Sequence, residues 1–161
     1  MKTLIIYASK YGCTEKCSNL LKDKLHGEVE IVDIKKESIP EITLFDNIIV
    51  GGSIYMGRIQ KEISQFCLNN ISMLEKKNLG FFICCMNENE IAEKQINTSF
   101  PEGLLKNAVA TGCFGGEFTF KKMNFLEKFI IKKISKTNKD SSKLLQGNID
   151  KFAQLINKRD V

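Results

Sequence analysis

Lys2-Thr3-Leu4-Ile5-Ile6-Tyr7-Ala8 runs directly into Ser9-Lys10-Tyr11-Gly12-Cys13-Thr14, after which Leu20, Leu21 and Leu25 recur at helical spacing. The first seven residues are rich in aliphatic, β-branched and aromatic side chains, and the polar, glycine-containing loop ends them. The stretch therefore reads as strand, loop, helix. The same alternation continues along the chain. Val29–Ile34 alternates as a second strand, and Ile48-Ile49-Val50 before Gly51-Gly52 is a short apolar run of the kind covered on both faces. Ile59, Ile63, Phe66 and Cys67 mark a helix, and Leu79–Met86 is a fourth strand that ends in the polar loop Asn87-Glu88-Asn89. Pro101 opens a helix through Lys106, and Ala108–Phe120 contains a fifth strand interrupted by Gly112 and Gly115-Gly116. Met123–Ser135 and Ser142–Ile156 read as two further helices. Strands alternating with helices at this spacing give an α/β fold: a three-layer, doubly wound, five-stranded parallel sheet.

The 161 residues suit one domain spanning 1–161, and 43% hydrophobic with 27% charged residues is an ordinary folded composition. The apolar start is too short for a secretory leader, and no run reaches the roughly 18 apolar residues of a membrane span, so a cytoplasmic protein is expected. Cys13, Cys17, Cys67, Cys84, Cys85 and Cys113 show no CxxC spacing. They read as reduced, small buried residues, with no metal site expected. The formal charge of +5 is concentrated between Lys121 and Lys143, where eight lysines face only Glu127 and Asp140.

Open α/β sheets bind ligands beyond the carboxyl ends of their strands, where strand order reverses. Three loops converge there: Ser9–Thr14, Ser53–Arg58 and Cys85–Asn89. The first offers two hydroxyls, a glycine and a helix N-terminus, which together suit a phosphate. Taken alone, it fits a plain cap by Thr14 equally well. GxGxxG and GxxxxGK[ST] are both absent, and position 19, six residues after Cys13, is Asn rather than the Arg of a cysteine phosphatase. Gly51-Gly52 stands where a response regulator has its acceptor Asp. In the second loop, small residues flank Tyr55 and Met56, giving a surface on which a flat, partly apolar ring can lie.

Ser9-x-Tyr11-Gly12-x-Thr14, with Gly51-Gly52-Ser53 through Met56-Gly57, resembles the flavodoxin superfamily. Within it, Ser53-Ile54-x-x-Gly57 and the aromatic and basic stretch Gly116–Lys136 look most like the menaquinone-dependent protoporphyrinogen oxidase branch. The resemblance implies a flavodoxin-like fold with non-covalently bound flavin mononucleotide (FMN). Ser9, Lys10, Tyr11, Gly12, Cys13 and Thr14 would hold its phosphate. Ser53, Ile54, Tyr55, Met56, Gly57, Arg58, Cys85, Met86, Asn87 and Glu88 would border its isoalloxazine. Two departures from the family accompany it: the chain is basic, with Arg58 after the loop glycine, where electron-transfer flavodoxins are acidic, and the loop after the fourth strand is shorter than the extended insert of the protoporphyrinogen oxidase branch.

The implied function is an FMN-dependent oxidoreductase that passes electrons to a quinone-like acceptor, with protoporphyrinogen oxidation as a candidate reaction. The alternative is an electron carrier between protein partners. No side chain stands out as a catalytic acid or base. The expected partner is a redox protein or a quinone, not nucleic acid. The segment Lys121–Lys143 is expected either to dock an apolar stripe on the sheet or to meet an anionic membrane peripherally, at its inner face.

Overall fold

The structure is a computed structural model describing residues 1–135 and 140–158. Its main sheet is built from β1 (Lys2–Ala8), β2 (Glu28–Asp33), β3 (Asn47–Tyr55), β5 (Asn78–Cys84) and β6 (Ala108–Cys113). These five lie parallel in the order β2-β1-β3-β5-β6, and β4 (Arg58–Ile59) folds back antiparallel on the end of β3. From β1 the chain goes first to one side of the sheet and then to the other. The order therefore reverses between β1 and β3, which opens a crevice at their carboxyl ends.

Two helical layers cover this sheet, and the period-two alternation of the strands assigns each side chain to one of them. On one face, Ile5, Ile49, Phe82, Cys84 and Ala110 meet α1 (Cys13–Lys22) and α7 (Gln146–Asn157) through Cys17, Leu21, Phe152 and Ile156. On the other, Leu4, Ile6, Val50, Phe81 and Ile83 meet α2 (Lys61–Asn69), α3 (Ile71–Leu74), α4 (Asn89–Ser99) and α5 (Glu102–Lys106) through Ile63, Phe66, Leu74, Ile96 and Leu104. Gly51 is small for a packing reason: a Cβ there would lie 2.0 Å from Cζ of Phe82. Among the described residues, no helix is long and apolar enough to cross a membrane.

The three-layer parallel sheet is as expected from the sequence, but several elements differ. Ile59 belongs to β4, not to the following helix, and the polar loop after β5 leads into α4 at Asn89, a helix not anticipated. The stretch Ala108–Phe120 divides into β6 and a separate strand, β7 (Gly115–Phe118). Ser142 does not begin a helix. Ser141–Leu144 forms β8, antiparallel to β7 in a second, two-stranded sheet. Leu144, Leu145, Ile149 and Phe152 mimic helical spacing, whereas the ladder that wins comes from residues some 25 positions away, such as Glu117 facing Ser142.

The helix α6 (Phe125–Ser135) occurs where expected, but not as an apolar stripe docked on the sheet. Phe125, Leu126 and Phe129 are 88%, 68% and 60% exposed, while Glu127 points inward. Lys136 and Lys139 of the basic segment lie outside the described residues.

Candidate functional site

A cleft opens at the carboxyl ends of β1, β3 and β5. It holds about 640 Å³ of non-atom space, counted out to its open mouth. Of the residues singled out from sequence, Ser9, Lys10, Tyr11, Cys13, Thr14, Ser53, Ile54, Tyr55, Cys85 and Met86 line it. Gly12 sits behind them as the N-cap of α1, at φ 97°. Its N–H donates to Oγ of Ser9 at 3.0 Å, closing the loop on itself.

This loop is built to receive something. Gly12, not Thr14, caps the helix, and it contributes no side-chain hydrogen bond, so the N–H groups of the first turn of α1 are left for another acceptor. Thr14 lies one residue into the helix, fully buried, and its hydroxyl has no hydrogen-bond partner among the described residues. The Tyr11 hydroxyl is buried as well, beside the Glu127 carboxylate. Buried polar atoms left unmet cost about 1–3 kcal/mol each, which favours a ligand that satisfies them. Lys122 adds charge, its Nζ donating to the Tyr11 carbonyl at 3.1 Å.

Six residues expected at the site are not all brought to its lining. Met56 and Gly57, both at positive φ, form the tip of the turn that folds β4 onto β3. That turn carries Arg58 away from the cleft and, with Gly57, into a neighbouring cavity against Ile91, Lys94 and Gln95 of α4. Arg58 is exposed there, so a direct influence on a ring in the cleft does not follow. Asn87 is an exposed loop residue, and Glu88 pairs with Lys143. Gly12, the sixth, contributes through its backbone.

Cys84, Gly116, Glu117, Met123 and Glu127 complete the lining without having been singled out. Glu127 matters most. Its carboxylate pairs with the Lys10 ammonium, which lies 3.6 Å from the centroid of the Tyr55 ring. It also accepts the Asn124 N–H at 3.1 Å, while its own N–H donates to Oδ1 of Asn124 at 2.9 Å. This is a reciprocal capping box, and Asn-x-x-Glu ahead of an apolar run was the available signal in the sequence. Gly116 and Glu117 reach the cleft only through the non-local β7–β8 pairing. Glu117 is bound to Lys16 at 2.9 Å and to the Ser142 hydroxyl at 2.9 Å.

The hydrogen bond from Lys10 pulls the Glu127 carboxyl down to about 2, from an ordinary value of 4.5. Its folded value lies below the unfolded one, so the stability it contributes is complete above the unfolded value and is lost as pH falls towards the folded value. Between about pH 5 and pH 2.5, the melting temperature of the native protein should therefore fall more steeply than that of Glu127→Gln. Parallel curves in differential scanning calorimetry would show that the pair contributes nothing.

The short-chain flavodoxin associated with a non-canonical PDU bacterial microcompartment superposes with a TM-score of 0.61 at 15% identity, covering 100% of this chain and 99% of that one. The Streptococcus pneumonia TIGR4 flavodoxin gives 0.60 at 15% identity, with 99% of each chain covered. Fusobacterium nucleatum flavodoxin bound to flavin mononucleotide gives 0.52 at 13% identity, with 98% of each covered. No curated protein sequence matches the chain. At these identities the superpositions establish the fold, and the sequence itself establishes the kinship: a family model described as a flavodoxin domain matches residues 4–144, so the chain belongs to the flavodoxin-domain family.

Proposed function

We propose that the protein binds one FMN in the cleft and serves as an electron carrier between protein partners. The observation that carries this reading is the unpartnered, buried Thr14 hydroxyl beside the uncapped start of α1, at the point where strand order reverses. Ser9, Tyr11, Gly12, Cys13 and Thr14 would hold the phosphate, and Ser53, Ile54, Tyr55, Cys85 and Met86 the ring system. Bound FMN would supply the ability to take up and release electrons. The protein's share is to hold it and to exclude water. The first-turn N–H groups and the Thr14 hydroxyl donate to the phosphate, and Lys122 offsets part of its charge. Lys10 enters with its charge already balanced by Glu127, which leaves the phosphate to the backbone and hydroxyl donors.

The test is to add FMN to the flavin-free protein and follow quenching of flavin fluorescence. One equivalent should bind. Potentiometric titration of the loaded protein should then resolve reversible electron uptake without turnover of a small-molecule substrate. Absence of binding would end the proposal.

A second reading, electron delivery to a membrane quinone, is favoured by one observation. Phe125, Leu126 and Phe129 stand exposed at the start of α6, with Lys132 and Lys133 exposed further along the same helix. Apolar side chains bordered by lysines suit an anionic lipid surface, where each lysine adds about 1 kcal/mol. Native protein should then sediment with anionic vesicles at low salt. Lys128→Gln/Lys132→Gln/Lys133→Gln should stay in the supernatant with FMN still bound. Assay of the vesicle-bound protein against quinones and protoporphyrinogen reads out the narrower activities. Protein that never sediments removes this reading.

A further inference from the structure

Five of the six cysteines gather at the carboxyl end of the sheet. Cys85 and Cys113 lie on one face, with sulfurs 3.3 Å apart, and Cys13, Cys17 and Cys84 lie on the other. The second group is unusual in being threefold. Cys13 and Cys17 are one turn apart on α1, and Cys84 at the end of β5 projects onto the same face, so the three sulfurs lie within 4.8 Å of one another. All three residues are buried, at 7%, 0% and 2% exposure. Sulfurs bound to a single centre at about 2.3 Å stand about 4 Å apart when three share it. The cluster is thus close to the geometry of a three-sulfur site before anything binds.

Charge decides which centre suits it. Among the described residues, no histidine or carboxylate joins the cluster as a fourth ligand, and structural zinc sites are almost always four-coordinate. Three thiolates leave a net charge of −2 around monovalent copper and −1 around a divalent ion. A residual charge is costly in a buried site without a partner. The nearby cation, Lys16, is already bound to Glu117. The N-terminus of α1 favours one thiolate, at Cys13, but not three. Only a trivalent, thiophilic centre gives a neutral complex.

We propose that Cys13, Cys17 and Cys84 form a binding site for a trivalent thiophilic metalloid of the arsenite class. The reaction is ligand exchange without change of oxidation state. Arsenous acid and three thiols give the tris-thiolate and three waters, as three As–O bonds break, three As–S bonds form, and each thiol proton leaves with a hydroxyl. Entry is through the cleft, which Cys13 and Cys84 both line. The site shares Cys13 with the loop proposed to hold the phosphate, and a filled cleft would close its entrance.

The experiment uses the full-length, reduced protein with sodium arsenite, both before and after FMN addition. Native mass spectrometry should show one arsenic per chain in the flavin-free protein, with the mass gain of arsenic less three hydrogens. X-ray absorption on the wild-type complex should count three sulfur neighbours. Cys17→Ala and Cys84→Ser, checked for folding by circular dichroism, should each bind at least tenfold more weakly, while Cys67→Ser and Cys113→Ser bind as the wild type does. FMN added first should slow uptake. No adduct, fewer than three sulfur neighbours, affinity unaffected by Cys17→Ala and Cys84→Ser, or a zinc complex that arsenite fails to displace would each overturn the proposal. The X-ray measurement needs no variant, so misfolding of a substituted chain leaves the test intact.

Discussion

Gly12→Val should abolish measurable FMN binding, and Thr14→Ala should weaken it by tenfold or more. Gly12 holds φ at 97°, a conformation open to glycine and a genuine outlier for a β-branched residue. Valine there either strains the loop by about 1–3 kcal/mol or rotates it, and rotation removes the first-turn N–H groups from the phosphate position. A Cβ at residue 12 would lie 3.5 Å from the Lys122 ammonium, an ordinary contact, so the backbone conformation carries the effect. Thr14→Ala is the cleaner change, because it deletes one hydroxyl that has no partner among the described residues. Folding should be untouched, whereas a hydrogen bond to a charged ligand is worth about 1.5–3 kcal/mol. That is roughly tenfold or more in the dissociation constant. Fluorescence quenching of FMN against both variants, with thermal melts of the flavin-free proteins alongside, measures the two effects separately. Equal affinity in wild type and both variants would remove the phosphate from this loop.

Phe82→Ala should be the most destabilising single truncation in the α1–α7 face of the core. The ring is fully buried, stacked on Phe114 with centroids 4.5 Å apart and edge-on to Phe152 at 6.3 Å, while Phe114 and Phe152 meet edge to face at 5.2 Å. Removing one member of this three-ring cluster leaves a cavity that the sheet beneath cannot fill. Truncations of this kind cost about 3–5 kcal/mol. For a chain of this length, that lowers the melting temperature by about 6–20 °C. The denaturant midpoint should fall with little change in slope, because the surface exposed on unfolding is nearly the same.

Gly51 supplies an internal control for that cluster. Gly51→Ala drives a methyl into the Phe82 ring and should cost about 1–3 kcal/mol by overpacking. In the Phe82→Ala background the same methyl enters empty space, so the two effects should be strongly non-additive. Additive losses in a double-mutant cycle by chemical denaturation would mean that Gly51 is small for some other reason.

These effects also separate what was readable along the chain from what was not. Phe82 and Cys84 reach one face while Phe81, Ile83 and Cys85 reach the other because successive strand residues alternate, a purely local rule. The loop Ser9–Thr14 was equally legible, since a strand, a glycine and a helix start within a few residues leave few backbone solutions. Arg58 was misplaced for the opposite reason. Its position depends on a tight turn at Met56-Gly57 that reverses the chain within two residues, and a linear reading extends the loop outward instead. Glu127 stood in a basic segment as a minor countercharge. Its capping box with Asn124 is local, but its partner Lys10 lies 117 positions away.

The sequence by itself therefore determined the alternation of strands and helices, the parallel sheet and the cleft-facing loop after β1, because each of these follows from spacing and residue type along neighbouring segments; the flavodoxin-like class came from a resemblance of motifs, not from spacing. Only the tertiary structure decided the β7–β8 sheet that lends Gly116 and Glu117 to the cleft, the inward turn of Glu127 with Phe125, Leu126 and Phe129 left exposed, and the convergence of Cys13, Cys17 and Cys84. In each case the deciding contact joins segments far apart in the chain. Its free energy appears only after the sheet has brought them together, and no local pattern records it.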